Sequence, residues 1–344
     1  MKRLHSSALI LIILLSVTII SCQQQKSPVQ VRSSQGEVNV GGTLRVPISN
    51  VPDDFSPVQM FNGAANAIGT HIHEGLVRLD PKSADLVPGL AESWSEEEGG
   101  GAFVFNLRKG ALFHNSDWFG NRSREITAKD VAYSFMTLAR DANQQLFEAT
   151  LGGRVVGAKG FRAGDGLELM GVSIVDDYTL RIELEKPDKS FLRLLAMPAF
   201  GIIPEGSLDE DKPVPISAGP FKLNQTNSEV TLLRNPDYFA TDEFGNRFPY
   251  LDSLIFVPIE KNSERLEAFF NDEIDLVSNL ELDPIRDILE EHVAEFSGKD
   301  PKYVLKRETD NASYDTYSVY HSKMKNLSSG FMGYRDFTRV QVEQ

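Results

Sequence analysis

Cysteine and long apolar runs are scarce in this chain, and so is positive charge. Cys22 is the only cysteine among 344 residues, so no disulfide can form within the chain. Acidic residues outnumber basic ones by 49 to 35, which gives a net charge of −14. This balance argues against a nucleic-acid partner, because a phosphate backbone favours clustered Lys and Arg. After Cys22 no stretch is apolar enough to span a bilayer.

Motifs that would supply catalytic chemistry are also missing. Gly-x-Ser-x-Gly, His-Glu-x-x-His and the phosphate-binding loop do not occur. Asp53 and Asp54 are adjacent, and adjacency does not place two carboxylates on opposite sides of a substrate. His71-x-His73-Glu74 resembles a metal cluster, but no further His or Cys motif completes it. The sequence therefore predicts no enzyme, no cofactor and no metal site.

The N-terminus has the pattern of an export signal. Two basic residues precede Ala8–Ile20, a 13-residue apolar run that is short for a membrane span and typical of a signal peptide. The run leads into Ile-Ile-Ser-Cys, which resembles the bacterial lipobox, where the cysteine is acylated and becomes the mature N-terminus. An ordinary signal peptide followed by a chance cysteine is the alternative. We expect a lipoprotein signal peptide at 1–21, lipidation of Cys22, and a flexible tether at 22–40.

Several segments have clear periodicity. Alternation predicts a strand at 43–48, a second at 103–107 and a hairpin at 172–184. Thr127 followed by an acid at position 130 is typical of a capped helix start, and the apolar residues after it repeat with helical spacing. A single amphipathic helix is predicted from Ile285 to Phe296, with His292 on its apolar face.

The motifs between residues 86 and 140 resemble those of the family 5 extracellular solute-binding proteins. Pro-Gly-Leu-Ala-Glu-Ser-Trp, Leu-Arg-Lys-Gly, Phe-His and Thr-Ala-x-Asp-Val-x-Tyr-Ser-Phe follow one another in the family's order. Gly-Gly-x-Leu at Gly41 and the hairpin at 172–184 also match, and the resemblance extends over about residues 41 to 280. Members include oligopeptide- and dipeptide-binding components of bacterial ABC importers, with relatives for nickel and other solutes.

The resemblance implies an α/β fold of the periplasmic-binding-protein type, class II, with two lobes and an inserted extra domain. We expect 41–60 and 200–275 to form the first lobe, 61–199 the inserted domain, and 276–344 the start of the second lobe. Full-length relatives run on for roughly half this length again. The second lobe is therefore expected to be largely missing, and peptide binding by these residues alone to be weak or absent.

The resemblance also implies a function without chemistry. Family members capture a peptide or another small solute between closing lobes and deliver it to an ABC permease. We expect an exported monomer, in the periplasm or at the cell surface, held on the membrane by its lipid. A surface sensor, adhesin or chaperone built on the same fold is the alternative.

Candidate ligand contacts follow from the same resemblance. A peptide receptor that ignores sequence needs backbone hydrogen bonds and charges for the two termini. Val51, Pro52 and Asp53 should face the peptide, with Asp53 receiving a terminal ammonium group, and Phe147 should present an aromatic ring. A turn-capping role for Asp53 and a core position for Phe147 are the alternatives.

Overall fold

Most of the chain from residue 34 onwards is described by a computed structural model. The described residues are 34–36, 38–61, 63–208, 216–225, 228–309, 315–327 and 336–343. The predicted signal peptide and the predicted lipidation site Cys22 lie outside these residues.

Strands and helices alternate irregularly along the described residues. The strands are β1 (Thr43–Ile48), β2 (Val77–Leu79), β3 (Leu86–Pro88), β4 (Ala91–Glu97), β5 (Ala102–Leu107), β6 (Val172–Asp176), β7 (Thr179–Glu183), β8 (Phe221–Gln225), β9 (Val230–Arg234), β10 (Ser253–Pro258), β11 (Leu276–Leu280), β12 (Tyr303–Thr309), β13 (Asp315–His321), β14 (Met324–Lys325) and β15 (Gln341–Val342). The helices are α1 (Gly63–Ile72), α2 (Ala128–Asp141), α3 (Gln144–Thr150), α4 (Ala158–Ala163), α5 (Phe191–Leu194), α6 (Asn262–Phe270), α7 (Leu282–Glu291) and α8 (Val293–Phe296).

A four-stranded sheet joins the start of the described chain to residues two hundred positions later. Its order is β1-β10-β9-β8, and β1 runs parallel to β10 with Thr43 opposite Ser253. Leu44, Val46 and Ile48 are buried while their neighbours are less so, which confirms the predicted alternation. The described strands between β1 and β8 take no part in this sheet.

A second four-stranded sheet, β4-β5-β7-β6, is formed entirely by the chain segment between β1 and β8. The predicted strand at 103–107 and the predicted hairpin are both present as β5 and as β6 with β7. Helix α2 begins with a capping box, in which the Asp130 carboxylate accepts the Thr127 N–H at 2.9 Å. Arg124 pairs with the same buried carboxylate, so the helix start is fixed from two directions.

A third sheet, β11-β13-β12, packs with α6 and α7 around its own apolar core. The prediction of one helix from Ile285 to Phe296 is wrong, because the chain leaves helical geometry at His292 (φ −119°, ψ 28°) between α7 and α8. The His292 ring stacks on Phe270 of α6, with centroids 3.7 Å apart. The break in the helix thus occurs where His292 contacts Phe270, a residue 22 positions earlier. The helical spacing of apolar residues contains no information about such a contact.

Asp275 connects the third sheet to the first. Its N–H donates to the Arg45 carbonyl at 2.9 Å, and its Oδ2 accepts the Arg45 N–H at 2.8 Å. Lys323 lies 3.6 Å from the other carboxylate oxygen. The carboxylate is almost fully buried. It accepts a backbone hydrogen bond from β1 and also forms ion pairs with the Arg45 and Lys323 side chains.

The domain boundaries stay predictions, and the packing of α1 bears on the boundary predicted at residue 61. Helix α1 falls inside the expected inserted domain at 61–199, yet Ala64, Ile68 and Ile72 pack in the core of the four-stranded sheet that contains β1. We therefore propose that the inserted domain begins after Ile72, because a helix belongs with the core that it helps to bury.

Candidate ligand-binding site

The loop that leaves β1 carries the predicted ligand contacts. Val51 and Pro52 are partly buried, whereas Asp53 is exposed. Asp54 accepts the Ser56 N–H at 2.7 Å and the Ser56 hydroxyl at 2.8 Å, so it is Asp54 that caps the turn. The turn-capping role that was the alternative for Asp53 thus belongs to its neighbour Asp54. The Asp53 side chain is exposed on the surface of the loop.

His73 fixes the far end of this loop. The ring is buried, with Nε2 at 2.9 Å from the Phe55 carbonyl and Nδ1 at 2.9 Å from the Ser217 hydroxyl. Since a carbonyl only accepts, Nε2 carries the proton and Nδ1 accepts from Ser217. Burial lowers the pKa of His73 to about 4, so the ring is neutral at physiological pH. The loop is therefore held by an uncharged clamp.

Close packing behind the clamp depends on Gly219. Its N–H donates to the Ile72 carbonyl at 3.1 Å, and a Cβ at this position would lie 2.5 Å from the Ile72 backbone. The His114 Nε2 donates to the Gly219 carbonyl at 2.9 Å, and burial lowers the pKa of His114 to about 4. Both histidines thus have structural roles around the loop.

An acidic cleft of about 340 Å³ opens behind the end of β10. It is lined by Pro258 and Ile259 and by four glutamates, Glu260, Glu264, Glu267 and Glu273. Ile48 lies opposite Pro258 in the parallel pair, and its carbonyl accepts the Ile259 N–H at 2.8 Å. The Asp53 loop and the cleft therefore start from one sheet edge, where the carboxyl ends of neighbouring strands often receive ligands.

Phe147 lies elsewhere. It is 1% exposed in the core around the second four-stranded sheet, and the Arg162 guanidinium lies 4.6 Å above its ring. It lines neither the acidic cleft nor the apolar cavity described next. Its ligand contact stays a prediction that would require the ring to leave this packing.

A buried polar cluster, which the sequence patterns do not predict, lies beside an apolar cavity of about 240 Å³. Tyr238 donates its hydroxyl proton to Glu74 Oε2 at 2.7 Å and accepts from Arg78 Nη1 at 2.9 Å. Arg78 Nε also lies 3.5 Å from Glu74 Oε1. Burial raises the pKa of Glu74 to about 7, even though Arg78 opposes that shift.

The suggested His71-x-His73 pair does not converge. His71 belongs to α1 and stacks on Phe337, whereas His73 follows the helix and contacts Ser217. Across the described residues, no group of three or more His, Cys, Asp or Glu side chains is arranged to hold a metal ion. Among the same residues, no helix has the length and apolarity needed to cross a membrane.

Comparison with known proteins identifies relatives of this chain. Di/tripeptide-binding protein 2 of Pseudomonas aeruginosa is 28% identical over 274 residues, covering 72% of this chain and 48% of that protein. The dipeptide-binding protein of Escherichia coli is 31% identical over 217 residues, covering 60% and 38%. The chain thus spans about half, or less, of the length of the curated relatives it matches.

Solved structures agree on the fold. The periplasmic binding protein DppA from Helicobacter pylori, solved in complex with the peptide STSA, aligns with a TM-score of 0.64 at 24% identity. The alignment covers 79% of this chain and 51% of that one, and it confirms the predicted α/β solute-binding fold. The family model described as "Bacterial extracellular solute-binding proteins, family 5 Middle" matches residues 85–325. The chain therefore belongs to the family 5 bacterial extracellular solute-binding proteins.

Proposed function

We propose that this chain captures short peptides for an ABC importer while a lipid at Cys22 holds it on the membrane. The observation that carries the proposal is the exposed Asp53 on a loop fixed by the neutral His73 clamp, at the sheet edge shared with an acidic cleft. Relatives described as di/tripeptide- and dipeptide-binding proteins support the peptide class. No bond is made or broken in this function.

Charge explains why the N-terminus of a peptide suits this edge. A peptide ammonium group donates up to three hydrogen bonds, and bonds between charged partners are about twice as strong as neutral ones. Asp53 supplies a carboxylate on an ordered loop, so little conformational freedom is lost when an ammonium binds. Peptide side chains are not required for this contact, which fits a receptor that accepts many sequences.

A double-mutant cycle tests the ammonium contact. The titrants are trialanine and N-acetyl-trialanine, and binding to the ¹⁵N-labelled protein is followed by chemical-shift changes up to millimolar peptide. We expect Asp53→Asn to weaken trialanine binding about tenfold, equal to ~1.4 kcal/mol, and to leave the acetylated peptide unaffected. Asp85→Asn, an exposed acid outside the loop, is the control. Equal binding of both peptides by the native chain would refute the role of Asp53.

Lipidation is tested on the protein purified from its host. Intact-mass analysis should show residues 1–21 removed and a diacylglycerol on Cys22, as the lipobox pattern indicates. Cys22→Ala should release the protein from membranes or leave it unprocessed. A mature protein with a free Cys22 thiol would rule out the anchor while leaving peptide capture open.

Transport separates the importer from a sensor, adhesin or chaperone. Deletion of the gene should abolish uptake of labelled trialanine by the host, and expression of the native gene should restore it. Expression of the Asp53→Asn variant should restore it poorly. Unchanged uptake in the deletion strain would favour the alternatives.

A further inference from the structure

Strand β6 lies at the edge of the second four-stranded sheet. It comes last in the order β4-β5-β7-β6, and within the described residues β7 is its only partner strand. In an antiparallel pair, successive residues alternate between turning their N–H and C=O towards the partner strand and away from it. The Glu183 N–H donates to the Gly171 carbonyl at 2.8 Å, so Gly171 and Ser173 face β7. The Ile174 N–H and C=O therefore point outward along the open edge.

Exposed apolar side chains are concentrated at this edge. Leu167, Met170, Ile174 and Val175 are 94%, 74%, 46% and 63% exposed. The part of the chain that the structure describes has eight large apolar side chains in this state, and these four lie within nine positions of one another. Single exposed apolar residues need no explanation, but a concentration of them is typical of a surface where another molecule binds.

Acidic side chains border the same edge. From residue 163 to residue 180 the chain has no Lys or Arg, and its four acids are all exposed: Asp165, Glu168, Asp176 and Asp177. A second copy of this chain would bring four acids against four, and like charges across a strand pair are destabilising. An anionic lipid surface would meet the same repulsion. The charges therefore favour a partner with basic side chains.

We propose that β6 receives an extended segment of a partner protein, which pairs with it as a fifth strand and alternates apolar with basic side chains. The Ile174 N–H and C=O supply main-chain hydrogen bonds to this segment. Its apolar side chains pack against those of Met170 and Ile174, and its Lys or Arg side chains pair with the bordering acids. Strand addition of this kind takes affinity from the main chain and specificity from the side chains. The edge includes none of the proposed peptide contacts, so this inference does not depend on peptide capture.

Two hexapeptides with blocked termini test the edge. The ¹⁵N-labelled native chain is titrated with acetyl-(Lys-Val)3-amide and with acetyl-(Glu-Val)3-amide, neither of which has a terminal ammonium group for Asp53. We expect the basic peptide to bind at least tenfold more tightly than the acidic one. At saturation it should slow hydrogen exchange of the Ile174 amide at least tenfold. No saturable binding of the basic peptide up to millimolar concentration, or equal binding of both peptides, would overturn the proposal.

Three variants connect the binding to the edge. Ile174→Pro removes the outward N–H and leaves the pairing with β7 in place, because an edge strand tolerates proline where the N–H faces outward. It should weaken binding of the basic peptide at least tenfold. The double variant Glu168→Lys with Asp177→Lys should weaken it as much and strengthen binding of the acidic peptide, which keeps the test decisive if Ile174→Pro does not fold. Asp85→Lys, at an exposed acid outside the edge, is the matched control and should bind as the native chain does. Undiminished binding by Ile174→Pro, or slowed exchange only outside residues 172–176, would refute the site.

Discussion

The imidazole of His71 lies flat against the ring of Phe337, with 5.1 Å between centroids and 12° between planes. Its Nε2 accepts the Phe337 N–H at 3.2 Å, while Nδ1–H donates to the Ala67 carbonyl at 2.8 Å. Both ring nitrogens are used by a neutral imidazole, and burial lowers the pKa of His71. The contact fastens a late segment of the chain to α1.

Loss of the Phe337 ring should be costly. The side chain is 3% exposed in the core of the four-stranded sheet that contains β1, and truncation of a buried Phe costs ~3–5 kcal/mol. We expect Phe337→Ala to lower the free energy of unfolding by that amount in urea denaturation. Phe244→Ala, at a half-exposed ring, should change it little. Equal effects would show that the late segment contributes nothing to the core.

Acid should weaken the protein through its buried histidines. Burial lowers the pKa values of His73 and His114 to about 4, so the unfolded chain binds more protons below its ordinary pKa of 6.5. The stability present above pH 6.5 is lost as the pH falls towards 4, by about 2 kcal/mol per histidine between pH 7 and pH 5. His114→Gln should therefore lose about 2 kcal/mol less than the native chain over that interval. An identical pH dependence for both proteins would contradict this assignment.

Glu74 should act in the opposite direction. Its pKa rises from 4.5 to about 7 on folding, so the folded chain binds the extra proton. That contribution is full below pH 4.5 and is lost as the pH rises through 7, by ~2.5 kcal/mol between pH 5 and pH 8. Because Glu74→Gln cannot titrate, its stability relative to the native chain should rise by this amount from pH 5 to pH 8. Denaturation curves of both proteins at the two pH values measure it, and a constant difference would refute the raised pKa.

The charge on Asp275 should contribute moderately to stability. Its cationic partners, Arg45 and Lys323, are nearly half exposed, so water can hydrate them if the carboxylate is removed. The loss expected for a fully buried pair must therefore be reduced. We expect Asp275→Asn to lower the free energy of unfolding by ~1–2 kcal/mol. Asp272→Asn, at an exposed acid, should cost less than ~0.5 kcal/mol. A larger loss at Asp272 would reverse this order.

Local patterns predicted local structure well. The strand β5 and the capping box at Thr127 need only neighbours within a few positions, so sequence spacing contains their cause. Ile174 shows the limit, because alternation placed it in a strand correctly but not its environment. The strand β6 is at a sheet edge, and Ile174 is 46% exposed there.

Contacts between distant segments of the chain could not be predicted from the sequence. The loop with Asp53 was placed by resemblance, but its clamp joins His73 to Ser217, 144 positions later. The cavity cluster joins Glu74 to Tyr238, 164 positions later. No periodicity links such pairs, and the break at His292 likewise coincides with a contact from another helix. The resemblance supplied the fold class, since ordered motifs identify a family without specifying these contacts.

The parallel pairing of β1 with β10 means that β1 is synthesised long before its partner strand. Thr43 and Ser253 lie 210 positions apart, and a ribosome adds ~5–20 residues each second, so β1 waits roughly 10–40 s for its partner. Pairings this remote are slow to form even afterwards, because a long loop must close before any contact rewards it. During that interval the unpaired edge of β1 is open to other strands. Wrong pairing of Thr43–Ile48 with another strand is therefore a risk until Ser253–Pro258 has been synthesised.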